Sequence, residues 1–159
     1  DKQIKAIVRL RSVIISQFTG DTTIFSSGSS LPSIWPVQGE ISSGFGFRQS
    51  PGGIGTIYHE GLDIAASYGD QVKATANGKV TQAGWASGYG YLVEIDHGNG
   101  IKTRYGHNSA LFVSVGDKVV QGQTISLIGS TGNSTGPHCH YEVRINGDAV
   151  NPTLFLPNR

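Results

Sequence analysis

The chain has 159 residues, a formal net charge of +1, 14% charged residues, 23 glycines and one cysteine. That length suffices for one domain with a sizeable core, and the balanced charge argues against nucleic acid as a partner. A single cysteine excludes an internal disulfide framework and a multi-cysteine zinc site, and no apolar run of about 18 residues could cross a bilayer as a helix.

Residues 1–18 carry Ile4, Ile7, Val8, Arg11, Ile14 and Ile15 at helical spacing, with Lys2, Lys5, Arg9 and Ser12 between them. This predicts an amphipathic helical arm, the end of a longer helical region, with a surface open to self-association or partner contact. A start at Asp1 and the lack of methionine fit a processed or cloned piece of something longer, without a signal peptide of its own. Residues 19–33, "TGDTTIFSSGSSLPS", read as a linker or an arm laid across the domain.

From residue 34 to 159 the pattern is β, with no helical period. "QVKATANGKVTQAGW" is two short runs around Asn77-Gly78, and "YLVEIDHGNGIKTRYGH" two runs around residues 97–100. In the second pair Val93 and Ile95 alternate with Glu94 and Asp96, while Ile101, Thr103, Tyr105 and His107 are expected to share a face. "LFVSVGDKVVQGQTISLIG" adds further short strands. Frequent turns between short strands predict a mainly β domain, an antiparallel sandwich or half-barrel.

Chemistry concentrates in the histidines. His97 falls in a predicted hairpin turn and is expected to be exposed. In "GPHCHYEVRING" strand alternation puts His138, His140, Glu142 and Arg144 on one face and Cys139, Tyr141, Val143 and Ile145 on the other. Cys139 then behaves as a small buried hydrophobe. "YHEGLDIAA" sets His59 four residues before Asp63, on a loop entering a strand. His59, Asp63 and one histidine of the 138/140 pair would make three protein ligands of an open zinc site. Two neutral imidazoles and one carboxylate leave such a site at about +1, positive enough to acidify a water. His107 is then a spare imidazole suited to proton transfer.

"HEGLD", "RYGHNS", "GSTGNSTGPHCHYEV" and Asn151-Pro152 together resemble the lysostaphin/LytM-type zinc metallopeptidases, which cut peptidoglycan cross-bridges. The resemblance runs from about residue 34 to 156 and includes "GFGFR", "GLDIAA", "ANGKV" and "GDKVVQGQ". It implies the lysostaphin-type β fold and one zinc per chain held by His59, Asp63 and His140, with His107 and His138 serving catalysis. It also implies peptidoglycan peptides as substrate and an extracytoplasmic envelope location, periplasmic or secreted. Cys139 replaces a usual aliphatic or aromatic residue, and Asn108 stands where leucine is common.

Other side chains have two readings each. Tyr58 and Tyr105 are oxyanion donors or, better, packing residues. Arg48 binds a substrate carboxylate or an internal partner, and Glu142 braces a histidine or lies exposed on its strand. Glycine-rich "RQSPGGIGTIY" and "ASGYGY" are expected to line a groove. The alternative to an enzyme is a catalytically inactive wall-binding or regulatory module of the same fold. "GDKVVQGQTI" also looks like a biotinyl-carrier hairpin, but no lysine sits at the expected tip.

Overall fold

A computed structural model describes residues 28–49 and 56–158. The predicted helical arm over 1–18 lies outside them. Twelve strands follow in order: β1 Ile41–Ser43, β2 Gly46–Gln49, β3 Thr56–His59, β4 Leu62–Ala65, β5 Gln71–Lys73, β6 Gly78–Ala86, β7 Gly90–Gly98, β8 Ile101–Leu111, β9 Lys118–Val119, β10 Thr124–Ile128, β11 His138–Ile145 and β12 Asp148–Val150. One 3₁₀ turn, Pro152–Leu154, is capped by Asn151, whose side chain accepts from the Thr153 amide. The described residues contain no α-helix, as the composition predicts, and no helix long and apolar enough to cross a membrane.

Ten strands form one antiparallel sheet with the order β1-β4-β11-β8-β7-β6-β9; β10 joins β8 to β5, and β12 extends β11. β2 and β3 make a separate two-stranded ribbon. β11 is the pivot. Its first half pairs with β4, its second half with β12, and β8 lies along its other side. Alternation along it is as predicted. Cys139, Tyr141, Val143 and Ile145 are buried in the core with Leu62, Ile64, Val93 and Ile95, while His138 and His140 lie on the opposite face.

The core contains one polar thread. Tyr141 Oη lies 2.7 Å from Thr75 Oγ1, which lies 2.9 Å from Tyr105 Oη, itself 2.7 Å from Thr103 Oγ1. The thread ends on His97, whose Nε2 is 2.7 Å from Thr103 Oγ1 and whose Nδ1 is 2.7 Å from the Asn77 carbonyl. A carbonyl only accepts, so Nδ1 carries the proton and Nε2 accepts from Thr103. Each hydroxyl of the thread is thereby satisfied, as burial of polar groups requires.

His97 is thus not an exposed turn residue; it is 7% exposed. The turn is Asn99-Gly100, with φ of 54° and 79°, and β7 continues through Gly98. Burial, partly offset by the Asn77 hydrogen bond, lowers the His97 pKa and keeps the ring neutral.

Candidate active site

The strand order gathers the predicted residues. Asp63 on β4 stands directly opposite His140 on β11, and His140 stands opposite Gly106 on β8. His59 ends β3 and is carried over the same spot by Glu60 and Gly61. A side chain at Gly61 would collide with the His140 ring, 2.7 Å from Cε1, so glycine lets the chain pass close above it.

Three donor atoms converge. His59 Nε2 is 3.3 Å from both His140 Nδ1 and Asp63 Oδ1, and those two are 2.8 Å apart. Tetrahedral ligands at zinc–ligand distances of about 2.0–2.2 Å stand roughly 3.3–3.6 Å apart, so the cluster fits a metal ion with little movement. The other nitrogen of each ring fixes the tautomer. His59 Nδ1 lies 2.8 Å from the Gly44 carbonyl, so it holds the proton and Nε2 offers a lone pair. His140 Nε2 donates to Glu142 Oε2 at 2.8 Å, which turns Nδ1 towards Asp63, where it donates when the ring is protonated and offers a lone pair when the ring is neutral. His59, Asp63 and His140 thus form a set that could hold a metal ion.

The electrostatics agree. Burial disfavours a charged His140, but hydrogen bonds to Asp63 and Glu142 outweigh it and push the pKa up to about 9. Burial also opposes ionisation of Asp63, but the His140 and His59 rings against its carboxylate hold its carboxyl well below the usual range. Glu142, 1% exposed, is lowered to about 2 against its burial by His140, Tyr89 and Arg144. Its two oxygens accept from Tyr89 Oη and Arg144 Nε, both at 2.7 Å. Arg144 in turn reaches Glu60 Oε2 at 2.7 Å.

The remaining two histidines face the same cleft. His138 Nδ1 donates to the Gly136 carbonyl at 2.8 Å, and its Nε2 stands 3.7 Å from Asp63 Oδ1. His107 Nδ1 donates to the Thr131 carbonyl at 2.6 Å. Their ring centroids are 4.6 Å apart. Burial is the main cause of a lowered pKa at His107. With the proton on Nδ1, each neutral ring presents Nε2 as a lone pair.

His107 does not share the core face with Tyr105, contrary to the simple alternation. Tyr91 pairs with Asn108 and Val93 with Tyr105, so two residues, Gly106 and His107, oppose the single residue Leu92. This is a β-bulge, with His107 at φ 65°. A non-glycine residue held there costs of order 1–3 kcal/mol, a kind of strain that clusters at functional sites. Beyond the bulge the parity is reversed. Asn108 is fully buried, donating to the Tyr105 and Tyr91 carbonyls at 2.8 and 2.9 Å and accepting from Ser126 Oγ at 2.8 Å.

The cleft is about 660 Å³ and is lined additionally by Tyr58, Glu60, Tyr89, Asn133 and Thr135. Tyr58 stacks edge-on against Phe45 and Phe47 at the rim. Tyr105 is fully buried in the core thread, away from the cleft. The Arg48 side chain lies outside what is described. Sequence reasoning gave no individual role to Tyr89 and Thr131, although "ASGYGY" and the glycine-rich run before His138 contain them.

The family model of peptidase family M23 matches residues 57–152. Over 122 residues, or 76% of this chain, the sequence is 48% identical to the DD-carboxypeptidase/endopeptidase Mpg of Neisseria meningitidis. It is 41% identical over 122 residues, 77% of the chain, to the murein hydrolase activator EnvC of Escherichia coli. The chain spans only 28% of the length of each of these relatives. Among solved structures, the catalytic domain of the antimicrobial peptidase lysostaphin from Staphylococcus simulans superposes with a TM-score of 0.65 at 35% identity, covering 73% of this chain and 90% of that one. With more than half of its length matched to the family and a relative at 48% identity, the chain belongs to peptidase family M23.

Proposed function

We propose that this domain is a zinc-dependent endopeptidase acting on bacterial peptidoglycan, and hence in the cell envelope. The observation that carries the reading is the division of labour among the rings. His59 Nε2, Asp63 Oδ1 and His140 Nδ1 converge at ligand spacing, while His107 and His138 lie beside them, each with its Nδ1 on a backbone carbonyl. A zinc ion held by the first three would act as a Lewis acid on the scissile carbonyl and acidify a water. His107 and His138 then divide the proton work: one Nε2 accepts the proton of the attacking water, and the imidazolium formed returns it to the leaving amine. Their backbone acceptors keep each Nε2 aimed without a choice of tautomer. Glu142 holds the His140 ring, and Tyr89 with Arg144 holds Glu142.

Relatedness to a DD-carboxypeptidase/endopeptidase supports a bond next to a D-amino acid over a glycine bridge. Relatedness to a murein hydrolase activator supports the other reading, a regulatory module. Partner binding has no need of two aimed imidazoles beside a ligand set, which favours the enzyme. Defined muropeptides with D-amino-acid cross-links or glycine bridges, digested by zinc-loaded protein and read by mass spectrometry, test this. Cleavage of neither by the zinc-loaded chain rejects the peptidase reading.

Metal and proton compete for His140 Nδ1. With the His140 pKa near 9 in the metal-free protein, zinc binding must release that proton at lower pH. Apparent affinity is expected to rise about tenfold per pH unit from pH 6.5 towards 9. The pair's contribution to metal-free stability runs the other way. It is fully present below the unfolded pKa of about 6.5 and is lost as pH rises through 9. Competition against a chromophoric chelator at several pH values measures the first trend, and a flat profile contradicts it.

A further inference from the structure

The glycine-rich run between β10 and β11 supplies more than the approach to His138. Thr131 sits within it, and its hydroxyl donates to the Asn108 carbonyl at 2.6 Å while accepting from the Tyr91 amide at 3.1 Å. Tyr91 and Asn108 are the pair at which the β7–β8 ladder resumes after the bulge. The Thr131 hydroxyl is thus inserted between two strands where their pairing is interrupted. Its carbonyl, in the same residue, takes the His107 Nδ1 proton at 2.6 Å. The neighbouring backbone is shaped for this fit. A Cβ on Gly90 would strike the Thr131 carbonyl and hydroxyl, and one on Gly132 would strike Gly90. The Asn133 amide donates to the Gly88 carbonyl at 3.1 Å and closes the same contact. Thr131 itself does not line the cleft.

We propose that Thr131 is a positioning residue for His107: its hydroxyl clips the bulge, and its carbonyl holds His107 as the Nδ1–H tautomer with Nε2 towards the cleft. The inference rests on the reading of His107 as an acid–base group. Without the hydroxyl, the loop loses its tie to β7 and β8, the carbonyl is no longer held over Nδ1, and the ring can exchange its proton between nitrogens.

The test uses the zinc-loaded chain with Thr131→Val, which removes the hydroxyl at nearly constant shape, and Thr131→Ser, which keeps it. Four quantities are read: zinc per chain, kcat and KM on a cleaved muropeptide, and the His107 tautomer from nitrogen–proton correlation spectra of the imidazoles. In Thr131→Val, zinc and KM are expected to stay within about twofold while kcat falls roughly 10–100-fold, the usual cost of losing an outer-sphere partner. His107 should lose its single Nδ1–H signature, and Thr131→Ser should restore both. A Thr131→Val protein with wild-type tautomer and wild-type kcat overturns the proposal; a purely structural role would lower only the melting temperature. If the wild type cleaves nothing, the peptidase reading fails, and the tautomer comparison still decides the role of Thr131. Should Thr131→Val not fold, Thr131→Ala removes the same hydroxyl and is read in the same way.

Discussion

Replacing His140 by Ala is expected to strip zinc and activity together. His140 supplies the central donor: its Nδ1 is within 3.3 Å of both other ligand atoms. The loss also leaves Glu142, 1% exposed, without its imidazole partner and Asp63 without its closest one. Zinc affinity should fall by roughly 10³-fold or more, beyond the 10–100-fold typical of an outer-sphere partner. Equilibrium dialysis followed by metal analysis gives the stoichiometry directly. Retention of one tightly bound zinc by His140→Ala would remove His140 from the ligand set. Cys139→Ala is the contrast on the same strand. It faces the core, should keep its zinc, and should cost about 1 kcal/mol of stability, as small buried truncations do.

Replacing His138 or His107 by Ala should give the opposite signature. Neither ring belongs to the ligand triangle, and each is held through its far nitrogen by a backbone carbonyl. Zinc should remain near one per chain while kcat falls by roughly 10²–10⁴, the worth of a positioned acid–base group. The double variant should lie little below the worse single one, because groups that act as a unit fail together. Parallel measurement of metal content and turnover separates this outcome from ligand loss. If His138→Ala sheds zinc while His140→Ala keeps it, the roles within the pair are exchanged.

Much of this arrangement was legible in the sequence, and the failures have physical causes. β11 could be read because both faces of a regular strand report in alternation: Cys139 and Tyr141 inward, His138 and His140 outward. Alternation alone sets His107 on the wrong face because a bulge adds one residue, and nothing in "RYGHNS" announces that a histidine will take a positive φ. His97 lies outside the turn because the turn comes later than the pattern predicts. Asn99-Gly100 makes it, and the preceding His-Gly belongs to the strand. Thr131 and Tyr89 escaped for another reason. Each acts partly through its backbone carbonyl, Thr131 on the His107 ring and Tyr89 on the His107 amide, and every residue owns a carbonyl. Only tertiary placement gives one of them a role.

β11 is also a partition one residue thick. His138 and His140 stand in the cleft, and the residues between and after them, Cys139 and Tyr141, are fully buried in the core. A laboratory evolution campaign would meet that partition as a coupling. A larger side chain selected at position 139 for thermal tolerance would press on the same few peptide units that aim both imidazoles. Variants improved in one property should therefore be found altered in the other, and recombination would have to treat residues 138–141 as one inherited block.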